Sequence, residues 1–383
     1  MSYSKAQIAN LCTLVTSGGT PLTSVPAYYD PKEIPWLKTG EVNYCRIYDT
    51  ESYISKEGLA RSSAKMIPAN SVVVAMYGQG DTAGRVAINK IPLSTNQACC
   101  NLVINHVIAD YEYVYYALCT LYDRLVALKN GGAQPNLNAK KIKAIEIPFP
   151  DLETQRTIAS VLGAYDNLIE NNQKQIKLLE EAARRLYKEW FVDLRFPGYE
   201  DTPIVDGVPE GWERLPVGEL IEKIPRTTQI MASEYGKEGP IPIIDQSRGF
   251  IAGYTDNHAS LVNVGKPVIV FGDHTRILKY IQFPFAKGAD GTQLIVSNTD
   301  RMPQSLFYCS LVGVDLSNYH YARHFKYLKA EELLVPTQVI AEAFDHFVSP
   351  IFSKIQRLRD INKAATNARD RLLPKLMSGE IEV

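Results

Sequence analysis

Ile145-Glu146-Ile147-Pro148-Phe149-Pro150 is a short apolar run closed by prolines, and a long amphipathic stretch from about Leu152 to Phe191 follows it at once. The same pattern recurs near the other end of the sequence, where Leu333-Leu334-Val335-Pro336 leads into Val339 to Met377. Proline ends a strand because it lacks the N–H that a ladder needs, and apolar residues recurring every three to four positions mark a helix. The chain is therefore read as two similar halves, each ending in a long helix. Two similar surfaces on one chain suit a ligand that is itself bipartite, such as long double-stranded nucleic acid.

Working outward, a matching order of shorter elements precedes each helix. Val72 to Val74 and Val268 to Val270 read as buried strands, each running into a glycine. Further along, Ser94-Thr95-Asn96-Gln97 precedes the apolar run Asn101-Leu102-Val103-Ile104 in one half, and Gly291-Thr292-Gln293 precedes Leu294-Ile295-Val296 in the other. A tyrosine-rich helix is expected over Tyr111 to Leu128, with a weaker counterpart near Ser305 to Val312. Short β-rich runs broken by glycine and proline, mixed with helices, give an α/β (α+β) class. The boundaries follow: a globular domain over 1–150, a central long helix over 151–196, a linker over 197–211 rich in proline, glycine and acid, a second globular domain over 212–336, and a C-terminal long helix over 337–383.

Both helices carry a narrow seam. In the first, Leu162, Tyr165, Ile169, Asn172, Ile176, Leu179, Ala183, Leu186 and Trp190 alternate spacings of three and four; in the second, Ile351, Ile355, Leu358, Asn362, Ala365, Arg369 and Leu372 do so. Each seam holds one asparagine. A polar residue in a seam costs stability but fixes register, whereas at the solvated edge of a broad seam it does neither. The helices suit an antiparallel pair within one chain, with Asn172, Ile176, Leu179, Leu358 and Asn362 as pairing residues; a homotypic coiled-coil dimer accounts for them equally well.

Composition narrows the class. A length of 383 residues implies two or three domains, and 45% hydrophobic with 22% charged residues is ordinary for a globular protein. No run approaches the ~18 apolar residues of a membrane span, and Met1-Ser2-Tyr3-Ser4-Lys5 opens no signal peptide, so a cytoplasmic protein is expected. Cys12, Cys45, Cys99, Cys100, Cys119 and Cys309 form no Cys-x-x-Cys pair and read as reduced core residues. A net charge of −1 lacks the basic footprint of most nucleic-acid binders, although acidic residues gather over 151–208 and leave the first half mildly basic.

Over essentially its whole length the chain resembles the specificity subunits of type I restriction-modification systems. The residues that carry the resemblance are Ser17-Gly18-Gly19-Thr20-Pro21, Pro35-Trp36-Leu37, Thr95-Asn96-Gln97, the run from Ile147-Pro148-Phe149-Pro150 through Glu153-Thr154-Gln155-Arg156-Thr157-Ile158-Ala159, and Leu372-Leu373-Pro374-Lys375-Leu376-Met377-Ser378-Gly379-Glu380-Ile381. The resemblance implies a non-catalytic subunit whose two target-recognition domains each read half of a split site in double-stranded DNA. It further implies helices that set the gap and dock two methyltransferase subunits and, through them, restriction subunits, with S-adenosylmethionine on the methyltransferase and no cofactor or metal here. The second half departs from the pattern: Pro225-Arg226-Thr227-Thr228 stands where a Gly-Thr-Pro turn is expected, and no Glu-x-x-Gln follows Pro336.

Polar residues beside glycines and aromatics are the candidate DNA contacts, since glycine admits close backbone approach and Arg and Gln can pair bidentately with base edges. In the first half these are Thr20, Lys38, Thr39, Tyr77, Gln79, Arg85, Asn96 and Gln134; in the second, Arg226, Gln246, Ser247, Arg248, Tyr254, His274, Thr275, Arg276, His320 and Arg323. The loop Gly131-Gly132-Ala133-Gln134-Pro135-Asn136 is the leading first-half candidate, and Arg248 and Arg276 lead the second. Catalysis is not expected. Gly78 to Arg85 lacks the Gly-Lys-Ser/Thr ending of a phosphate loop, and no Asn-Pro-Pro-Tyr/Phe, Gly-x-Ser-x-Gly or His-Glu-x-x-His motif occurs. Two rival readings stand beside this one: an oligomeric coiled-coil adaptor with protein-binding globular halves, and an enzyme built on Asp273-His274.

Overall fold

The computed structural model describes residues 3–128, 136–288, 291–318 and 323–383. It divides into two compact units, residues 1–170 with 363–383, and residues 171–362.

In the first unit the strands are β1 (Lys5–Gln7), β2 (Cys12–Ser17), β3 (Ile34–Leu37), β4 (Cys45–Ile47), β5 (Tyr53–Ile54), β6 (Met66–Ile67), β7 (Ser71–Ala75), β8 (Val86–Asn89), β9 (Leu93–Thr95), β10 (Cys99–Ile104) and β11 (Glu146–Pro148). They pair as sheets of order β2-β10-β7-β8-β4, β5-β3-β9-β6 and β1-β11. Helices α1 (Lys56–Ala60), α2 (Tyr111–Cys119), α3 (Tyr122–Ala127) and α4 (Ala139–Lys143) precede the long α5 (Leu152–Tyr187), which ends in a π-turn over Lys188–Val192. Every residue of β7 is buried, which explains its unbroken apolar run: Val72 and Val74 join one core with Tyr113 and Ile158, while Val73 and Ala75 join another with Leu37 and Ile67.

The second unit repeats this plan. Its strands are β12 (Ile204–Val205), β13 (Val208–Pro209), β14 (Glu213–Pro216), β15 (Ile241–Ile244), β16 (Gly253–Thr255), β17 (Leu261–Val262), β18 (Val268–Gly272), β19 (Leu278–Ile281), β20 (Phe285–Lys287), β21 (Thr292–Ile295) and β22 (Glu332–Val335), with α6 (Gln304–Val312), α7 (Phe325–Ala330) and α8 (Gln338–Ser378). The antiparallel pair β14·β22 stands where β1·β11 does, the parallel pair β15·β20 where β3·β9 does, and β19-β18-β21 where β8-β7-β10 does. Strand β18 divides its side chains between two cores as β7 does, Ile269 and Phe271 on one side and Val268 and Val270 on the other.

The departure after Pro336 has a physical counterpart. In the first unit Gln155 is fully buried at the start of α5; its amide donates to Pro150 O at 2.9 Å and accepts the Asp110 N–H at 3.0 Å, while Asp151 caps the helix through the Thr154 N–H at 3.0 Å. In the second unit Arg301 takes over, its guanidinium donating to Pro336 O at 2.8 Å, Val335 O at 3.3 Å and Gly211 O at 3.2 Å and pairing with Glu213 at 3.0 Å. At the far end of α8, Leu376 and Met377 are buried in the first unit's core, and Gly379 at φ 74° closes the helix with Glu380 N–H bonded to Lys375 O.

Segments of α5 and α8 pair antiparallel in each unit. In the first, Arg369 donates to Asp166, which also accepts Tyr116 Oη at 2.5 Å. In the second, Asn172 Nδ2 donates to Asn362 Oδ1 at 2.8 Å, Arg359 pairs with Glu180 at 3.0 Å, and Trp190 and Phe191 pack on Phe344. Ile176 and Leu179 pack on the core that holds Ile355 and Phe344, and Leu358 is buried. The two asparagines are thus inside the seam rather than at its solvated edge.

Two expectations need correction, and the linker gains a defined local structure. The helix over Tyr111 to Leu128 is two, α2 and α3, because Thr120 turns its hydroxyl onto Ala117 O at 2.7 Å and ends the first. The six cysteines are free, but Cys12, Cys45 and Cys119 are only half-buried, while Cys99, Cys100 and Cys309 are buried. The stretch between the halves folds as the β12–β13 hairpin, turning at Asp206 and Gly207, both at positive φ.

Replacing Asn172 alone with leucine strands the Asn362 amide and is expected to lower stability by roughly 1–3 kcal/mol. The double change to leucine is expected to recover most of that loss. Urea denaturation of the two single variants and the double variant measures it; additive losses would contradict a shared bond.

Candidate nucleic-acid interface

In the first unit the glycine turn after β2 folds back on the β9–β10 connection. Gly19 N–H bonds Thr95 O at 2.9 Å, Trp36 Nε1 bonds Gly19 O at 3.0 Å, and Thr20 Oγ1 donates to Gln97 Oε1. Thr20 and Gln97, the latter absent from the sequence-derived set, therefore form one polar edge; its signal was the Thr-Asn-Gln element itself. Asn96 is half-buried and holds the turn, its Oδ1 accepting Ala98 N–H at 3.2 Å. Lys38 is exposed with Nζ 5.2 Å from the centre of the Trp36 ring, whereas Thr39 beside it is buried and faces inward.

The loop after β7 carries the other first-half candidates. Gln79 is exposed and Tyr77 half-buried, with burial raising the Tyr77 phenol above its ordinary pKa. Arg85 spans the loop, pairing with Asp81 at 2.5 Å and donating to Asn43 Oδ1 at 3.0 Å. Its charge is therefore matched in place. Gln134 lies outside the described residues, as does most of the loop from Gly131 to Asn136.

In the second unit two loops are tied together. Residues 245–249 follow β15 and residues 273–277 connect β18 to β19. Thr275 Oγ1 donates to Gln246 O at 2.7 Å, and His274 N–H donates to Gln246 Oε1 at 3.1 Å. Ser247, Arg248, His274, Thr275 and Arg276 are exposed around this joint. Arg276 occupies the left-handed region at φ 59°, a conformation unfavourable for a side chain other than glycine that the turn imposes. Close approach by glycine makes the joint possible, since a Cβ on Gly272 would stand 2.2 Å from Thr275 Oγ1. Tyr254, half-buried on β16, exchanges backbone bonds with Gly236. Arg226 is exposed on the segment before β15, Arg323 is exposed next to His324, and His320 lies outside the described residues.

Asp273 is accounted for by the fold. It is buried, its Oδ1 accepts Phe325 N–H at 2.7 Å at the start of α7, and its backbone oxygen accepts His324 N–H at 3.0 Å. That leaves exposed His274 without an acid partner in Asp273. Among the described residues no group of three His, Cys, Asp or Glu could hold a metal ion, and no helix is long and apolar enough to cross a membrane.

Sequence reasoning missed Lys279. This lysine of β19 is buried behind the 245–249 loop, and its Nζ donates to Asp245 O at 2.8 Å and to Gly249 O. Burial lowers its pKa, opposed by the Asp245 carboxylate. A single lysine in a strand gives no sequence signal that it faces inward.

Residues 3–181 match the family model described as the type I restriction modification DNA specificity domain. The chain is 27% identical to the MjaIX specificity subunit of a type I restriction enzyme from Methanocaldococcus jannaschii, over 96% of this chain and 91% of that protein. It is 28% identical to the EcoR124I/EcoR124II specificity subunit from Escherichia coli, over 47% of this chain and 45% of that one. The crystal structure of a type I restriction-modification S subunit from M. genitalium aligns over 98% of this chain and 96% of its own with a TM-score of 0.63 at 17% identity, a likeness of fold.

Gly18→Ala is expected to destabilise the chain by about 1–3 kcal/mol, because its Cβ would fall 2.1 Å from Thr95 O, a backbone atom that cannot swing away. Gly40→Ala, with nothing within 4 Å, is expected to change stability by less than about 0.5 kcal/mol. Thermal unfolding of both variants checks the contrast.

Proposed function

We propose that this chain is a type I restriction-modification specificity subunit, a reading supported by the match of residues 3–181 to that family's DNA specificity domain, and that each of its two units reads one half of a split double-stranded DNA target. The observation that carries the reading is the repetition of one strand-and-helix plan in both units with different polar residues on the corresponding loops. A common scaffold with divergent loops is what two modules reading unlike sequences need.

In this reading Thr20, Gln97, Lys38, Tyr77 and Gln79 contact the first half-site, and Gln246, Ser247, Arg248, His274, Thr275 and Arg276 the second. Arg248 and Arg276 carry base readout, with the other polar groups positioning the backbone. The long helices set the gap and dock two methyltransferase subunits, through which restriction subunits join. The chain itself is non-catalytic, works in the cytoplasm, and leaves S-adenosylmethionine to the methyltransferase. Its net charge of −1 gives little electrostatic affinity alone, so the full clamp on DNA includes partner surfaces.

Mapping methylated bases across a genome after co-expression with a methyltransferase subunit tests the reading. A split motif is expected, two short defined halves around a fixed run of any bases; no motif from an assembled complex would overturn it in favour of an adaptor role. Arg276→Ala or Arg248→Ala is expected to relax the second half of that motif, at a cost of roughly 1–3 kcal/mol in base discrimination, while the first half stays unchanged.

Matched insertions of seven residues in α5 and α8, preserving the seam, are expected to lengthen the gap. Seven residues add about 10 Å of helix, or about three base pairs, with both half-sites kept. Changed half-sites at a constant gap would contradict the spacer role.

A further inference from the structure

We infer that Lys279 and Arg359 are positioning residues for sequence discrimination by the second unit, holding the 245–249 loop in reading geometry from the strand side and from the helix side. The inference rests on the reading of that loop as a DNA contact. Neither residue is among the proposed DNA contacts.

The Lys279 side chain is 4% exposed. Its Nζ bonds the carbonyl oxygens of Asp245 and Gly249, the first and last residues of the loop, and stands 3.8 Å from Asp245 Oδ1. Asp245 Oδ1 in turn accepts the Ser247 N–H at 2.9 Å and Oγ at 2.5 Å. One ammonium thus gathers both ends of the loop and, through the carboxylate, its middle. Burying an ammonium is expensive, and an apolar residue of similar volume would fill the same space without that cost. What an apolar residue could not do is join two carbonyls that otherwise repel.

Arg359 acts from the other side. Its guanidinium lies 4.2 Å from the centre of the ring of Phe250, the residue after the loop, and pairs with Glu180 at 3.0 Å. Phe250 is therefore held against the helix pair by a cation whose own position α5 fixes. A cavity of about 260 Å³ lined by Arg248, Phe250, Ile277, Lys279, Arg359 and Glu180 lies beneath. A loop released from either tether has room to sink into it, carrying Arg248 away from its mark and dragging Gln246 on the Thr275 bond. Readout of base edges tolerates only about 0.5 Å of misplacement, so such a shift affects discrimination before it affects folding.

The test uses the full chain assembled with its methyltransferase subunit and duplexes carrying the intact target, a base change in the first half, or one in the second. Lys279→Met and Arg359→Met are each expected to lower discrimination against the second-half change by roughly 10-fold or more, with first-half discrimination unchanged. Should Lys279→Met fail to fold, Arg359→Lys, which keeps a cation for Glu180 but loses the planar stack on Phe250, is expected to show the same one-sided effect in a milder form. Unchanged second-half discrimination in folded variants, or an equal loss at both halves, overturns the inference. A wild-type complex without preference in either half overturns the underlying reading and the inference with it.

Discussion

The constraint on which the rest depends is the register of two antiparallel helices. A seam of leucine, isoleucine and alanine is tolerant of slippage, because one apolar contact replaces another at little cost. In this chain a polar contact removes that tolerance in each unit: Asp166 with Arg369 in the first, Asn172 with Asn362 in the second. Sliding either helix by one turn would separate both pairs and leave the buried Asn172 amide without its partner, at a cost of about 1–3 kcal/mol. Burial works against the Arg369 charge, yet its bonds to Asp166 and Asp370 leave its pKa raised.

The two units share one domain plan with different fasteners. Where the first unit uses the buried amide of Gln155 to join the helix start to α2, the second uses the guanidinium of Arg301 to join β22 to the segment before β14. The junction with the helices differs as well. Arg46 of β4, a strand without a counterpart among the described residues of the second unit, reaches Glu112 and Glu170, while the second unit relies on Trp190, Phe191, Phe344 and Trp212. Conservation of plan with exchange of bonding chemistry is what a duplicated domain shows when only the backbone path is constrained.

Much of this was legible in the residues. Apolar periodicity, the prolines that end β11 and β22, and the glycine turn after β2 each record a local requirement, and the duplication made every one of them count twice. Periodicity could not say that Asn172 and Asn362 face each other, since it records a face and not a partner. Nor could it reveal Lys279 or Arg301, whose polar side chains are drawn inward by carbonyls many residues away. Thr39 was misjudged for the converse reason: a small hydroxyl residue beside an exposed lysine looks solvated, and only the helical turn over Thr39–Glu41 that follows β3 buries it. Arg85 carries the charge expected of a DNA contact, but Asp81 four residues before it already satisfies that charge.

The burial of Leu376 and Met377 among residues of the first unit has a consequence for how the molecule comes into being. The second unit is one continuous run of chain, whereas the first is assembled from 1–170 and 363–383. On a ribosome, which releases the polypeptide from its N-terminal end, the half begun first must wait for residues 363–383 before its apolar interior is sealed, while the half made later is drawn from one uninterrupted segment. Synthesis order and folding order are thus reversed, and an apolar surface awaiting Leu376 and Met377 stays exposed throughout the interval, open to chaperones and to aggregation alike.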